Sequence, residues 1–122
     1  MDDSRAMQRL RTNLVGVDQG SVVLFSDFED GGEMWTGRGA REALTTILYN
    51  GVFLNPPTVS VNISMWDMDQ ETNIRADVST AQITREGFQI IFKTWGDTRI
   101  ARVRATWTAI GEVKSEEDWD VD

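Results

Sequence analysis

At 122 residues the chain is long enough for one packed domain and too short for two. Hydrophobic residues make up 40% and charged residues 26%, the balance of an ordinary globular protein with a real core. Cysteine and histidine are both absent, which excludes disulfides, the usual zinc sites, and nucleophilic catalysis that needs a histidine base.

The net charge of −8 is uneven, because the eleven residues from Glu112 to Asp122 hold six acids and one lysine. With no basic stripe to offset it, neither nucleic acid nor an anionic membrane is an expected partner. No apolar run approaches the roughly 18 residues of a membrane span. Asp2 and Asp3 stand where a signal peptide carries basic residues, so the expected setting is a cytoplasm, or release inside a particle.

Taken in chain order, Met7, Leu10, Leu14 and Val17 recur at spacings of three, four and three, which predicts a helix within residues 1–20. That helix either packs on its own domain or serves as a short oligomerising segment. From Ser21 onward, short runs rich in β-branched and aromatic residues are broken by turn residues about every dozen positions, the texture of a sandwich or barrel. Strands are expected near Ser21–Phe28, Glu42–Phe53, Thr58–Trp66, Asn73–Thr84, Phe88–Trp95 and Arg99–Ile110. In the third, Val59, Val61, Ile63 and Met65 alternate with Ser60, Asn62 and Ser64; in the sixth, Ala101, Val103, Ala105, Trp107 and Ala109 alternate with arginines and threonines. Each such strand buries one face and leaves the other to solvent or to a polar contact between protomers.

Gly31, Gly32, Gly37 and Gly39 make residues 29–41 a shaped loop, Asn55-Pro56-Pro57 opens an edge strand, and Arg85-Glu86-Gly87 signals a hairpin. Residues 112–122 are too charged and too poor in apolar groups to fold alone, with Trp119 the one residue able to dock. The domain layout read from this is a helical segment over 1–20, a β-sandwich over 21–111 and an acidic tail over 112–122.

Among sites for chemistry, Asp67, Asp69 and Glu71 suggest a calcium loop, but the glycine of its sharp bend is missing and a solvated acidic loop is the simpler reading. No metal and no cofactor are expected, and no catalytic residues are assigned. The run Thr94-Trp95-Gly96-Asp97-Thr98 places an aromatic at a strand end beside a glycine, a turn that suits a sugar ring packing on the indole. Arg75, on the wet face of its expected strand, would donate to the sugar hydroxyls. The competing reading makes Trp95 a cap on the core and pairs Arg75 with Asp77 or Asp97.

The ordered set Pro56-Pro57, the strand ending at Asp67, Asn73-Ile74-Arg75, Gly87-Phe88, Thr94-Trp95 with Thr98, and Trp107 resembles the H-type lectins, the fold of snail agglutinins and of the discoidin C-terminal domain. Upstream, Arg41-Glu42 and Gly37-Arg38-Gly39 stand at the family's spacing. The resemblance implies an all-β protein, a six-stranded antiparallel β-sandwich, here with a short N-terminal helix, assembled as a homo-trimer or a dimer of trimers. It implies a non-catalytic, multivalent lectin for galactose or N-acetylgalactosamine, with Arg75, Trp95 and Gly37 in the site, and Gly39, Gly96 and Asp97 beside them. This chain departs from the snail lectin at three places. It has Gly39 for an acidic loop residue, Gly96 for a histidine, and Ala101 for an aromatic. Weak binding at each site is the expected consequence. The alternative function is a trimeric structural or interaction module, for example in a phage-tail-like particle.

Overall fold

The computed structural model describes residues 5–11, 14–28 and 30–115. Its elements, in order, are β1 (Val15–Ser26), α1 (Glu33–Thr36), β2 (Arg41–Leu48), β3 (Thr58–Met68), β4 (Asp77–Ala81), β5 (Gly87–Thr94) and β6 (Ile100–Glu112). They form two antiparallel three-stranded sheets, ordered β1-β6-β3 and β2-β5-β4. The expected six-stranded sandwich is present.

Alternation explains the layers. Val103, Ala105, Trp107 and Ala109 of β6 point inward and are buried, while Arg102, Arg104, Thr106 and Thr108 face outward. Against them stand Phe88, Ile90 and Phe92 of β5, all buried. One core cluster gathers Tyr49, Phe53, Phe88 and Trp107; the other gathers Met34, Phe92, Ile100 and Val103. In the first, the Phe88 and Trp107 rings meet edge to face at 5.5 Å.

The N-terminal segment departs from expectation. Residues 5–11 are not helical, and Val15–Ser26 is a strand paired with β6 from Val15↔Glu112 to Ser26↔Arg102. Valines and two glycines disfavour a helix here, and the free edge of β6 offers a full ladder instead. The stripe that predicted the helix is exposed, with Met7 at 82%. Gln8 donates to the Pro56 carbonyl, and the Arg11 amide donates to the Glu112 carboxylate, holding the segment near one end of the sandwich.

The expected boundaries shift with it. The 20/21 division falls inside β1, and Glu112 is the last residue of β6 rather than the start of a tail. Val113 also packs against the first core cluster. The expectations for Trp119 and for the acids from Glu116 onward lie outside the described residues. The strand expected at Asn73–Thr84 is shorter, with only Asp77–Ala81 in the ladder. The hairpin at Arg85-Glu86-Gly87 is observed, with Thr84 Oγ1 accepting from the amides of Glu86 and Gly87.

Candidate functional site

Three segments meet at one end of the second sheet: the turn after β5, the stretch before β4, and the loop before β2. The turn is anchored by two buried threonines. Thr94 Oγ1 donates to the Arg75 carbonyl and Thr98 Oγ1 to the Asn73 carbonyl, each at 2.6 Å. These hydroxyls take the place of ladder bonds that residues 73–76 do not make, so the backbone carrying Arg75 is fixed although it lies outside β4. The strand-face reading of Arg75 therefore gives way to a tertiary clamp, and its neighbour Ile74 is the exposed residue.

Between the threonines, Gly96 takes φ +72°, and its carbonyl accepts the Gly39 amide at 2.9 Å. Gly39 itself takes φ +79°, so both sides of this contact use backbone that glycine adopts freely. Arg41 closes the arrangement. Only 7% exposed, it donates Nε to Gly39 O, Nη1 to the carbonyls of Glu33 and Met34, and Nη2 to Gly96 O. Its charge is spent on four carbonyls that the fold brings together. Sequence reading noted Arg41 only for its spacing and missed this role. The sole local signal was an arginine closing a glycine-rich run at the head of a strand.

The loop has a second brace. Arg99 lies 4.3 Å above the Trp35 ring and donates Nε to the Trp35 carbonyl, and its Nη1 reaches Asp69. Asp27 accepts from the Met34 amide at the start of α1, while the Gly37 amide donates to Glu33 O at its end. Asp67, in β3, pairs with Arg102, and Asp69 with Arg99, so both aspartates of the acidic run face arginines.

On this platform Arg75 Nη1 donates to Asp97 Oδ1 at 2.6 Å, with the two side chains 30% and 38% exposed. The Arg75 bond, then the bonds from Asn73, hold the Asp97 carboxyl below its ordinary value of 3.8. The guanidinium sits directly over Gly96, where a Cβ would lie 3.0 Å from Nη1. Among the described residues, Arg75 Nε and Nη2 donate to no protein acceptor. The result is a partly open guanidinium beside a partly open carboxylate on rigid backbone.

Of the expected site residues, Arg75, Gly39, Gly96 and Asp97 are thus brought together within one chain. Gly37 shares with Asp97 a concavity of about 460 Å³ that also exposes Arg38 and Glu71. Trp95, 46% exposed, instead lines a different concavity of about 620 Å³, beside Glu42, Asp77 and Lys93. Ala101 is buried, its carbonyl accepting the Asp27 amide, so it stands in the core rather than at the site.

Comparison with known proteins follows the same lines. The family model for the H-type lectin domain matches residues 44–110, a span that holds Arg75, Trp95, Gly96 and Asp97. The chain is 58% identical over 108 residues to the ATP synthase subunits region ORF 7 protein of Fuscovulum blasticum, covering 88% of this chain and 94% of that one. It is 32% identical over 75 residues to a discoidin-1 polypeptide of Dictyostelium discoideum, covering 61% of this chain but 30% of the relative. The solved structure of recombinant discoidin II from Dictyostelium discoideum superposes with a TM-score of 0.71 at 21% identity, over 84% of this chain and 39% of that one. The chain therefore corresponds to less than half the length of either discoidin. With the six-stranded sandwich and the ordered motifs already described, these matches place it by family: the chain belongs to the H-type lectin domain family.

Proposed function

We propose that this protein is a non-catalytic lectin that binds a galactose-like or N-acetylgalactosamine-like sugar at Arg75 and Asp97. The observation that carries the reading is the open half of the Arg75 guanidinium beside the Asp97 carboxylate. A sugar hydroxyl both donates and accepts, so a pair of adjacent hydroxyls is satisfied by a planar cationic donor next to an anionic acceptor. Gly39 and Gly96 leave the approach without side chains. Trp95 opens on the other side of the turn, which supports a shared site: the indole packing on the sugar comes from a neighbouring protomer of a trimer. Losing a charged loop residue at Gly39 leaves each site weak, roughly millimolar or about −4 kcal/mol. Multivalency in a trimer or a pair of trimers compensates.

A second reading, an assembly module, has one observation in its favour. Val17 stands opposite Ile110 on the outer face of the first sheet, and both are exposed, with exposed Val15 two residues away. Such an apolar patch suits a contact between copies. A glycan array with the full chain and with Arg75→Ala separates the two. A reproducible glycan lost in the variant supports the lectin, and an empty array with an intact oligomer supports the module.

A further inference from the structure

The segment before β1 differs in charge from the rest of the chain. It reads Arg5-Ala6-Met7-Gln8-Arg9-Leu10-Arg11, three arginines and no acid in a protein of net charge −8. All of it is exposed, yet it is held in place. Gln8 Nε2 donates to the Pro56 carbonyl at 3.1 Å, the Thr58 hydroxyl donates to Gln8 Oε1, and the Arg11 amide donates to Glu112 Oε2 at 3.3 Å. These bonds lay the segment across the start of β3 and the end of β6, with Met7 and Leu10 exposed. Among the described residues no carboxylate pairs with the guanidinium of Arg9 or Arg11. The surface therefore offers cationic and apolar groups together on anchored backbone.

The chain leaves the sandwich at the same place. Glu112, which accepts the Arg11 amide, is the last residue of β6, and Ser115 follows three positions later. Beyond it, outside the described residues, stand Glu116, Glu117, Asp118, Trp119, Asp120, Val121 and Asp122, five acids with two apolar side chains and no base. Fully extended, these residues reach at most about 25 Å past Ser115, and the basic segment spans at most about 20 Å. The two are long enough to run side by side.

We infer that residues 116–122 dock on residues 5–11 of the same chain, their carboxylates against Arg9 and Arg11 and the Trp119 indole over Met7 and Leu10. Each partner carries what the other lacks. The tryptophan ring suits both neighbours, since its face attracts a guanidinium and packs with a methionine sulfur. Exposed ion pairs are individually weak, but the connection through Ser115 gives a local concentration that is roughly millimolar, so weak pairs suffice. A second copy presenting the same segment about a twofold axis would set arginines against arginines. Docking also covers Met7 and Leu10, which otherwise add to the exposed apolar surface at this end of the sandwich.

The full chain has no cysteine, so a nitroxide on Val121→Cys gives a single reporter, read by NMR at the amides of residues 5–11. The expected result at low salt is a loss of signal intensity at those amides and none along β5. Intensity returns in about 1 M salt, where charges are screened beyond about 3 Å, and it returns in Arg9→Glu/Arg11→Glu and in Trp119→Ser. Adding Glu116→Lys/Glu117→Lys to the double arginine variant brings the loss back. Unchanged amide shifts along β5 and β6 in each variant establish that the fold is intact. The inference is overturned if residues 5–11 keep full intensity at low salt, or if the loss persists in 1 M salt, in the double arginine variant or in Trp119→Ser. It is also overturned if an isotope-labelled chain without nitroxide, mixed with nitroxide-bearing chain, shows the same loss, since the occupant is then a second copy.

Discussion

Arg75 Nη1 and Asp97 Oδ1 lie 2.6 Å apart, both partly open, with the guanidinium packed over Gly96; the Arg75 carbonyl is held by the buried Thr94 hydroxyl, and Thr98, next to Asp97 in the chain, holds the Asn73 carbonyl. The pair is pre-organised in that no rearrangement of its backbone is needed to present donors and an acceptor together.

Changing either partner should therefore weaken binding without unfolding the chain. Arg75→Ala is expected to lower sugar affinity by tenfold or more. Asp97→Asn should lower it less, because an amide keeps an acceptor. Both should melt close to the parent, since a partly exposed pair contributes little to stability. The Asp97 carboxyl is held below 3.8 by Arg75, so the pair's stabilisation is present above that pH and is lost as pH falls through the lowered value. Affinity measured by titration should accordingly be flat from neutral pH down to the ordinary carboxylate range and fall below it.

Gly96→Ala tests the turn itself. A residue with a Cβ at φ +72° costs about 1–2 kcal/mol for the left-handed backbone. The new methyl also meets Arg75 Nη1 at 3.0 Å and pushes the guanidinium away from Gly96. Thermal unfolding should register that destabilisation, and sugar affinity should drop several-fold. An unchanged affinity would mean that the position of Arg75 over Gly96 is irrelevant to binding.

Thr94→Val and Thr98→Val keep shape and remove one donor each. The carbonyls of Arg75 and Asn73 then lose their hydroxyl partners, a cost of about 1–3 kcal/mol per site. Thr98→Val should also broaden the amide signals of residues 73–76 in NMR spectra, since a bond that substitutes for the ladder is gone.

Tyr49 offers the opposite case. Its hydroxyl is buried in the first core cluster and bonds to no other described residue, and burial, then the nearby Asp18, push its pKa from 10.0 up to about 12. The folded chain therefore holds the proton longer than the unfolded chain, and stability is lost as pH rises from about 10 through about 12. Tyr49→Phe should keep or raise the melting temperature at neutral pH, and should flatten the alkaline decline seen in the parent.

The six strands were legible because inward and outward residues differ in polarity along β3 and β6. β1 defeated the same reading. Its outward positions include Val15, Val17 and Val23, so apolar residues fall on both faces and the period of two disappears, leaving a spacing of three and four that imitates a helix. Arg75, Trp95, Gly96 and Asp97 were legible as a turn with chemistry near it. The way Arg75 is held was not, because its clamp consists of hydroxyls nineteen and twenty-five residues from the carbonyls they meet. Arg41 was illegible for the same reason, with acceptors spread from Glu33 to Gly96.

Chemical-shift mapping of the full chain with N-acetylgalactosamine tests the lectin site most directly. The account predicts saturable shifts at the amides of Gly39, Gly96 and Asp97, at the Arg75 side chain and at the Trp95 indole, all disappearing in Arg75→Ala. Shifts confined to other residues, or unaltered in that variant, would contradict it.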